Sequence, residues 1–267
     1  MQYMRAMDVV VGAPIYRQGA YILDKLVQNQ QAIQQEYTAC ELVLATSEAD
    51  LVEELEQYLA VYKIRGKTVT YDIWKPSHAR SNIWNIAQGR ETIRHYLLSQ
   101  TDARYYMSID ADMIYERDLI RIMLAEIEGY DVIFSGYPFR GGGLGLTGAG
   151  CMMVNRATLE KVGFRCIEFR NADWMSEDSL FEMDAFRNRC RIKKGIFVHT
   201  SHYMSENDVA HGAPQSVGLY RRIMTSALIR YLLIRISLII HRNVPRKLWR
   251  ARVNTKTKIG SRLNRRD

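Results

Sequence analysis

Short apolar segments alternate with longer amphipathic segments along the first 110 residues of the chain. Four hydrophobic runs end in turn-forming or acidic residues, as buried strands do: MDVVVGAP, CELVLATS, KTVTYDIW and RYYMSIDAD. Three stretches between them place apolar side chains near helical spacing: AYILDKLVQNQQAIQQ, EADLVEELEQYLAVY and NIWNIAQGRETIRHYLLSQT. Strands that alternate with helices of ten or more residues predict an α/β fold with a mostly parallel central sheet and helices on both faces.

The second half of the chain has a more mixed pattern. We predict a strand in DVIFSGYPF, a glycine-rich loop leading into a strand in RGGGLGLTGAGCMMVNR, a short helix in ATLEKVG and a longer helix in SEDSLFEMDAFRNRC. Ser176 stands where it would cap that longer helix over Asp178 and Ser179. IKKGIFVHTSHYM is predicted to be a final strand or loop, and it carries two histidines.

Charge is distributed unevenly along the chain, whose formal net charge is +8. From Leu219 to the end there are 14 Lys or Arg and one acid, whereas the other 218 residues hold 23 bases and 28 acids. An enzyme acting on nucleic acid would carry positive charge around its active site, so we expect no nucleic-acid partner. An acidic body with a basic tail favours contact with an anionic surface.

The basic tail contains an apolar run over residues 223–240 that Arg230 and Arg235 interrupt. Each arginine would cost about 2.5 kcal/mol or more at a bilayer centre, which disfavours a spanning helix. We therefore predict an interfacial anchor on anionic lipid, the alternative being a helix docked on the catalytic domain. The N-terminal segment has no secretory-signal pattern, so we expect a cytoplasmic protein, peripheral at the inner face of the membrane.

Four cysteines are scattered along the sequence without a C-x-x-C pair or a histidine at zinc spacing: Cys40, Cys151, Cys166 and Cys190. This spacing argues against a structural metal site, and we predict reduced, buried thiols.

Two aspartates, Asp110 and Asp112, follow directly after the apolar strand RYYMSI. In parallel sheets ligands bind beyond the carboxyl ends of the strands, and Mg²⁺ and Mn²⁺ prefer carboxylate oxygens. Aspartate also favours turns, so the pair alone is better explained as a solvated turn.

The order of motifs from Met7 to His202 resembles the GT-A glycosyltransferases, particularly family 2 and its relatives. VVVGAPIYRQGAYILDKLVQNQ is similar to that family's opening strand, loop and first helix, and ARYYMSIDADMIYERDLI to its metal-binding D-x-D strand. TGAGCMMVNRATLEKVGF resembles the strand and short helix beneath the acceptor site, and MSEDSLFEMDAFRNRCRI resembles the E-D helix. The resemblance implies a Rossmann-like GT-A catalytic domain over residues 1–218, with a nucleotide-sugar half (about 1–112) and an acceptor half (about 113–218). A basic helical tail follows over residues 219–267.

The resemblance also implies chemistry. We expect a metal-dependent glycosyltransferase of the hexosyltransferase type that uses a UDP- or GDP-linked sugar and a hydroxyl acceptor on a glycan or a lipid-linked glycan. Asp112 would hold Mn²⁺ or Mg²⁺ against the donor diphosphate, and Asp110 would contact the metal through water or bind the ribose. A histidine often completes this metal site, and the spacing favours His202 over His199.

The E-D motif implies the acid–base role. Asp178 would take the proton of the acceptor hydroxyl and Glu177 would orient it, which favours inversion by a single displacement. Without the resemblance, the same two acids are explained by their favourable interaction with the dipole at a helix N-terminus.

Donor contacts are implied on both sides of the D-x-D strand. The resemblance assigns the nucleotide to Pro14, Tyr16, Ser47, Glu48 and Ala111. Arg80 and Arg90 are candidates for the diphosphate, because a guanidinium pairs well with it, or else they lie on a solvated helix face.

Two further features leave alternatives open. The loop RGGGLGLTGAG is interpreted as a flap or wall of the acceptor pocket, or as a plain loop, and Trp174 either stacks on a sugar ring or belongs to the core. Two other functions remain possible for the whole chain: a nucleotidyltransferase of related fold, or a non-catalytic protein that binds membrane or nucleic acid through its tail.

Overall fold

The computed structural model describes residues 7–76, 82–138, 144–145, 148–169, 174–203, 205–211, 223 and 225–243. The strands are β1 Val9–Pro14, β2 Cys40–Thr46, β3 Gly66–Thr70, β4 Tyr105–Ile109, β5 Met113–Tyr115, β6 Val132–Pro138, β7 Leu144–Gly145, β8 Cys151–Asn155, β9 Ile167–Glu168, β10 Trp174–Met175, β11 Ile192–Phe197, β12 Thr200–Tyr203 and β13 Val209–His211. The α-helices are α1 Leu23–Glu36, α2 Val52–Val61, α3 Ile83–Gln100, α4 Leu119–Ile127, α5 Arg156–Leu159, α6 Glu177–Arg187 and α7 Ala227–Asn243. Short 3₁₀ helices precede α1 and α2, at Arg17–Ile22 and Ala49–Leu51.

The main sheet has the strand order β11-β6-β8-β4-β1-β2-β3 within the described residues. The pairs β3–β2, β2–β1, β1–β4 and β6–β11 are parallel, whereas β8 runs antiparallel to both β4 and β6. The first four predicted strands therefore form the parallel half, and the irregular second half of the sequence supplies the mixed half. The predicted α/β fold with a mostly parallel sheet is confirmed.

Helices cover both faces of the sheet, and successive strand residues point to opposite faces. Val9 and Val11 pack in one cluster with apolar residues of α1, α2 and α4. Val10, which lies between them, packs instead with residues of α3, α5 and α6. Continuous apolar runs such as VVV are the expected sequence of a strand buried on both faces.

Several local predictions differ from the structure. The strand predicted to reach Trp74 ends at Thr70, because the Trp74 backbone leaves the sheet and hydrogen-bonds the side chain of Gln88 instead. The segment after the aspartates forms β5, a strand that the sequence did not predict, and β5 joins β12 and β13 in a small separate sheet. The final predicted strand is accordingly split between two sheets, with β11 in the main sheet and β12 in the small one.

The tail helix α7 packs along α6. Tyr231, Ile234 and Leu238 join an apolar cluster with residues from the β9–β10 region and α6, and Arg230 lies 3.5 Å from the Glu182 carboxylate. The opposite face of α7 leaves seven large aliphatic side chains exposed: Leu228, Ile229, Leu232, Leu233, Ile236, Ile239 and Ile240. Docking, predicted as the alternative to an anchor, is therefore observed. The predicted boundary between residues 218 and 219 lies outside the described residues.

Of the helices in the described ranges, none combines the length and the apolar character that crossing a bilayer requires. The four cysteines are free thiols. Cys40, Cys151 and Cys166 are buried as predicted, and Cys190 is half-buried.

Candidate active site

One buried arginine joins the strand end and the helix that carry the predicted acids. Arg90, on the inner side of α3, is 2 % exposed. Its Nη2 pairs with Asp110, its Nη1 pairs with Glu177, and its Nε donates to Ser108 Oγ at 3.2 Å. Asp110 follows β4 and Glu177 begins α6, so three elements that are distant in sequence meet at one guanidinium.

Backbone hydrogen bonds fix the turn that contains both aspartates. The Asp110 N–H donates to Gly150 O at 3.2 Å, the Met113 N–H donates to Asp110 O at 3.3 Å, and the Asp112 carbonyl accepts from Tyr203 N at 2.8 Å. The turn is therefore held between the start of β8 and the strand β12, and its two carboxylates lie at the carboxyl edge of the sheet.

Gly150 leaves room for the Asp110 carboxylate. A Cβ atom at this position would overlap Asp110 Oδ2. The last glycine of the glycine-rich segment therefore lies directly against the acidic turn, whereas residues 140–143 and 146–147 of that segment lie outside the described residues.

His202 faces Asp112. Its Nε2 is 3.6 Å from Asp112 Oδ2, and its Nδ1 lies 2.7 Å from the Pro138 carbonyl oxygen. Donation from Nδ1 to that carbonyl fixes the tautomer that leaves Nε2 directed toward the aspartate, which is the usual support of a metal-binding histidine. Burial lowers the pKa of His202, but the nearby Asp112 carboxylate and the hydrogen bond to the Pro138 carbonyl outweigh it, so the pKa is raised.

His199 lies elsewhere. Its side chain is exposed, and its backbone pairs with Glu116 rather than with the aspartate turn. The register of β12 against β5 places His202 opposite Met113 and Thr200 opposite Tyr115, so His199 falls beyond the far end of the ladder. Geometry therefore brings His202, but not His199, to Asp112.

The residues at this edge fit a hard cation. In the ranges that the structure describes, no three His, Cys, Asp or Glu side chains converge as a complete metal cage. One carboxylate and one imidazole, at Asp112 and His202, nevertheless suit an ion that keeps several waters and takes its remaining ligands from a diphosphate. Burial raises the pKa of Asp110, Arg90 opposes the rise and the charge of Asp112 adds to it, which means that the two carboxylates repel each other at this edge.

The first turn of α6 presents Asp178 beside the same cluster. Ser176 occupies the N-cap position, but the predicted cap to a backbone N–H does not form. Its hydroxyl hydrogen-bonds the Asp178 carboxylate and Ser179 Oγ instead. Asp178 Oδ1 also accepts from Ser179 N at 2.6 Å. The Asp178 side chain is thus oriented by its own helix turn, while its neighbour Glu177 is buried against Arg90.

The predicted nucleotide contacts come together at the ends of β1 and β2. Tyr71, which the sequence analysis missed, joins them: its hydroxyl lies 3.4 Å from the Tyr16 hydroxyl and 2.9 Å from Asn85 Oδ1, and it interacts with Ser47. Glu48 accepts from the Arg17 N–H at 2.8 Å. Pro14 is buried at the end of β1, where a Cβ added to Gly89 would approach its own Cβ to 2.9 Å.

The remaining predicted residues have varied positions. Ala111 is half-buried and packs against the core on the side of the sheet that α1, α2 and α4 cover. Arg80 lies outside the described residues. The three side-chain nitrogens of Arg90 all donate to protein acceptors, so it positions other site residues, and its contact with a diphosphate stays a prediction.

Tyr137 is a second site residue that the sequence did not reveal. It is 6 % exposed at the end of β6, and its ring packs edge-on to His202 with centroids 6.1 Å apart. Burial raises its pKa well above the usual range, and the charges of Asp110 and Asp178 add to the rise, so its hydroxyl stays neutral. The run DVIFSGYPF has the pattern of an ordinary strand, and nothing in it indicates that Tyr137 packs against His202.

Comparison with solved structures identifies the fold of the chain. S. aureus TarS 1–349 in complex with UDP-GlcNAc matches with a TM-score of 0.51 and 16% sequence identity, over 90% of this chain and 69% of that one. The mannosyltransferase PcManGT from Pyrobaculum calidifontis, in complex with GDP-Man and Mn²⁺, matches with a TM-score of 0.50 and 14% identity, over 72% of this chain and 56% of that one. S. aureus TarS matches with a TM-score of 0.52 and 16% identity, over 90% of this chain and 41% of that one.

These similarities show that the chain has a GT-A-like glycosyltransferase fold, as the motif order predicts. The chain spans less than two thirds of the mannosyltransferase and less than half of TarS. No protein-family profile matches the sequence. No curated protein matches it either.

Proposed function

We propose that the protein is a metal-dependent glycosyltransferase that transfers a hexosyl group from a UDP- or GDP-linked donor to a hydroxyl of a glycan or a lipid-linked glycan. The observation that carries this proposal is the meeting of Asp112 and His202 beside Asp110, with Asp178 on the adjoining helix turn. The nucleotide-sugar complexes of TarS and of the mannosyltransferase, which share the fold, support it.

Asp112 and His202 are the proposed protein ligands of Mn²⁺ or Mg²⁺. The cation would offset the negative charge that develops on the departing diphosphate. Asp110, held by Arg90, would contact the metal through water or bind the ribose. Tyr16, Ser47, Glu48 and the Ala111 backbone would line the nucleotide side. Arg80 stays a predicted contact of the diphosphate.

Asp178 is the proposed base. It takes the proton from the acceptor hydroxyl as that oxygen attacks the anomeric carbon, while the bond from that carbon to the diphosphate oxygen breaks with its electron pair. Glu177 is buried and paired with Arg90, which makes it a poor nucleophile for a double displacement. A single displacement with inversion of the anomeric centre is therefore the proposed course.

The product distinguishes this proposal from nucleotidyl transfer. Incubation with UDP- and GDP-sugars, Mn²⁺ and a panel of glycan acceptors should release a nucleoside diphosphate and no pyrophosphate. Release of pyrophosphate instead would reject sugar transfer. Binding of nucleoside diphosphate with Mn²⁺ that is unchanged in Asp112→Ala would reject the proposed metal site.

The tail helix is the proposed contact with an anionic membrane, on the cytoplasmic face. Seven aliphatic side chains face solvent on α7, and the sequence that continues from it is strongly basic. An exposed apolar face beside basic residues is the composition of an interfacial helix. A purely tail-based binding protein is the competing function. Truncation tests it poorly, because removing α7 would also uncover the buried Glu182 on α6.

A further inference from the structure

Three of the four tryptophans in the chain lie in elements that meet at one edge of the fold. Trp74 follows β3, Trp84 is in the first turn of α3, and Trp174 begins β10. Trp74 is 69 % exposed and Trp174 is 49 % exposed, whereas Trp84 is half-buried. The indole rings of Trp74 and Trp84 pack edge to face with centroids 5.9 Å apart.

A buried acid ties this cluster together. Glu168, in β9, is 6 % exposed and accepts a hydrogen bond from Trp84 Nε1 at 3.1 Å. Glu168 pairs directly with Trp174 across the antiparallel β9–β10 ladder. Residues that face each other in this way project from the same side of a hairpin, so Trp174 and Trp84 flank the same carboxylate.

The exposed Trp74 is also held in place. Its N–H donates to Gln88 Oε1 at 2.7 Å, and its carbonyl accepts from Gln88 Nε2. Large aromatic side chains normally gain stability from burial, so an indole that is fixed at the backbone and left in water indicates a surface that a ligand covers.

The cluster lies next to the proposed acceptor side. Trp84 and Arg90 are on one helix, six residues or about 9 Å apart along its axis. Trp174 precedes Asp178 by four residues, and β10 leads directly into α6. A ligand that covers the indoles would therefore extend from beside the proposed base.

We propose that Trp74, Trp84 and Trp174 form an acceptor subsite that binds the pyranose rings of an oligosaccharide. The inference rests on the proposed function, of which it names the acceptor class. A pyranose ring presents flat patches of C–H groups that pack on aromatic faces, and its hydroxyl groups at the rim hydrogen-bond polar neighbours. Apolar, aromatic walls with a few placed polar groups are the common lining of such sites.

The test uses the full chain labelled with 5-fluorotryptophan, which gives four ¹⁹F resonances that Trp→Phe variants assign. Neutral hexasaccharides of β-1,4-glucose, β-1,4-N-acetylglucosamine and α-mannose are titrated without donor. We expect at least one of these hexasaccharides to shift the resonances of Trp74, Trp84 and Trp174 together. Trp74→Ala and Trp174→Ala should each weaken this binding about tenfold or more, whereas Tyr130→Ala, an exposed aromatic elsewhere, should not.

Two results would overturn the subsite. The first is that none of the hexasaccharides shifts these resonances. The second is that UDP or GDP with Mn²⁺ shifts them and binds more weakly to the Trp74→Ala variant, which would assign the indoles to the nucleotide. Trp84→Phe keeps a ring in the core and loses the bond to Glu168, so it tests the cluster if the alanine variants unfold. Loss of nucleotide binding in Asp112→Ala is measured separately. Glycan binding without any nucleotide binding would therefore contradict the proposed function and leave the subsite standing.

Discussion

Arg90 and Glu177 form a buried ion pair between residues that are 87 positions apart in the chain. Their side chains are 3 % and 5 % exposed, and the same guanidinium also holds Asp110. The end of β4 and the beginning of α6 are therefore positioned relative to each other through one side chain. The two halves of the proposed reaction, metal binding and proton removal, depend on this junction.

Replacing Arg90 with Met should lower the free energy of unfolding by about 3–5 kcal/mol, because it leaves two carboxylates partly buried without a counter-charge. Urea denaturation followed by circular dichroism measures the change. Arg104→Met is the matched control: Arg104 pairs with Asp8 at 2.9 Å, but it is 66% exposed, so its loss should cost about 1 kcal/mol or less. Equal effects of the two substitutions would contradict a structural role for the Arg90 cluster.

A second variant separates stability from positioning. Adding Glu177→Met to Arg90→Met removes one of the two stranded acids and should recover part of the lost stability. Asp110 lacks its partner in both the single and the double variant. Affinity for UDP or GDP with Mn²⁺, measured by isothermal titration, should therefore be lower than in the unmodified protein in both. Recovery of both properties together would show that Arg90 acts through folding alone.

The two histidines near the end of the domain provide an internal comparison. His202→Ala should lower Mn²⁺-dependent affinity for a nucleoside diphosphate by about tenfold or more, since the imidazole faces Asp112. His199→Ala should have little effect, because its side chain is exposed and only its backbone pairs with Glu116. Titration calorimetry with and without EDTA measures both, and a larger effect at position 199 would reject the assignment.

The sequence predicted the sheet well because burial on both faces leaves a continuous apolar run, as in VVV of β1. It predicted that Asp110 and Asp112 lie where ligands bind, because they directly follow a strand of a parallel sheet. It could not show that Arg90 pairs with Glu177, or that Tyr71 joins Tyr16 to Asn85. Those contacts depend on side-chain packing between distant elements, which no local pattern encodes. The three-residue strand β5 was missed because pairing with β12, and not its own length, stabilises it.

Asp178→Asn should leave nucleotide binding intact and lower kcat about 10²- to 10⁴-fold, as expected when a general base is removed. The carboxamide keeps the size of the side chain and can still accept from Ser179 N, so the helix turn should persist. Asp118→Asn is the control, because Asp118 is exposed before α4 and its side chain caps no backbone group there. Full transfer activity in Asp178→Asn would place the base elsewhere.

Gly150→Ala tests the packing of the glycine-rich segment against the acidic turn. The added methyl group would overlap the Asp110 carboxylate and displace it, so Mn²⁺-dependent nucleotide affinity should fall while the thermal midpoint changes by a few degrees at most. Gly19→Ala adds the same methyl group where nothing lies within 4 Å, and it should leave affinity unchanged. Unaltered binding in Gly150→Ala would show that the position of Asp110 does not matter.

The exposed face of α7 is tested most directly with lipid vesicles. Leu232→Asp with Ile236→Asp places two charges on that face without touching Ile234 or Leu238, which pack on α6. Each buried Leu or Ile side chain contributes about 1.5–3 kcal/mol, so the double variant should bind at least about tenfold more weakly to vesicles of equal parts phosphatidylglycerol and phosphatidylcholine. Val61→Asp, which changes an aliphatic side chain that is 74 % exposed on α2, should bind as the unmodified protein does.

The protein should bind much less to vesicles of pure phosphatidylcholine than to the mixture, since the basic residues around α7 need an anionic surface. Equal sedimentation of all three proteins with the mixed vesicles, at unchanged thermal stability, would exclude α7 as the contact and leave its aliphatic face without an assigned partner.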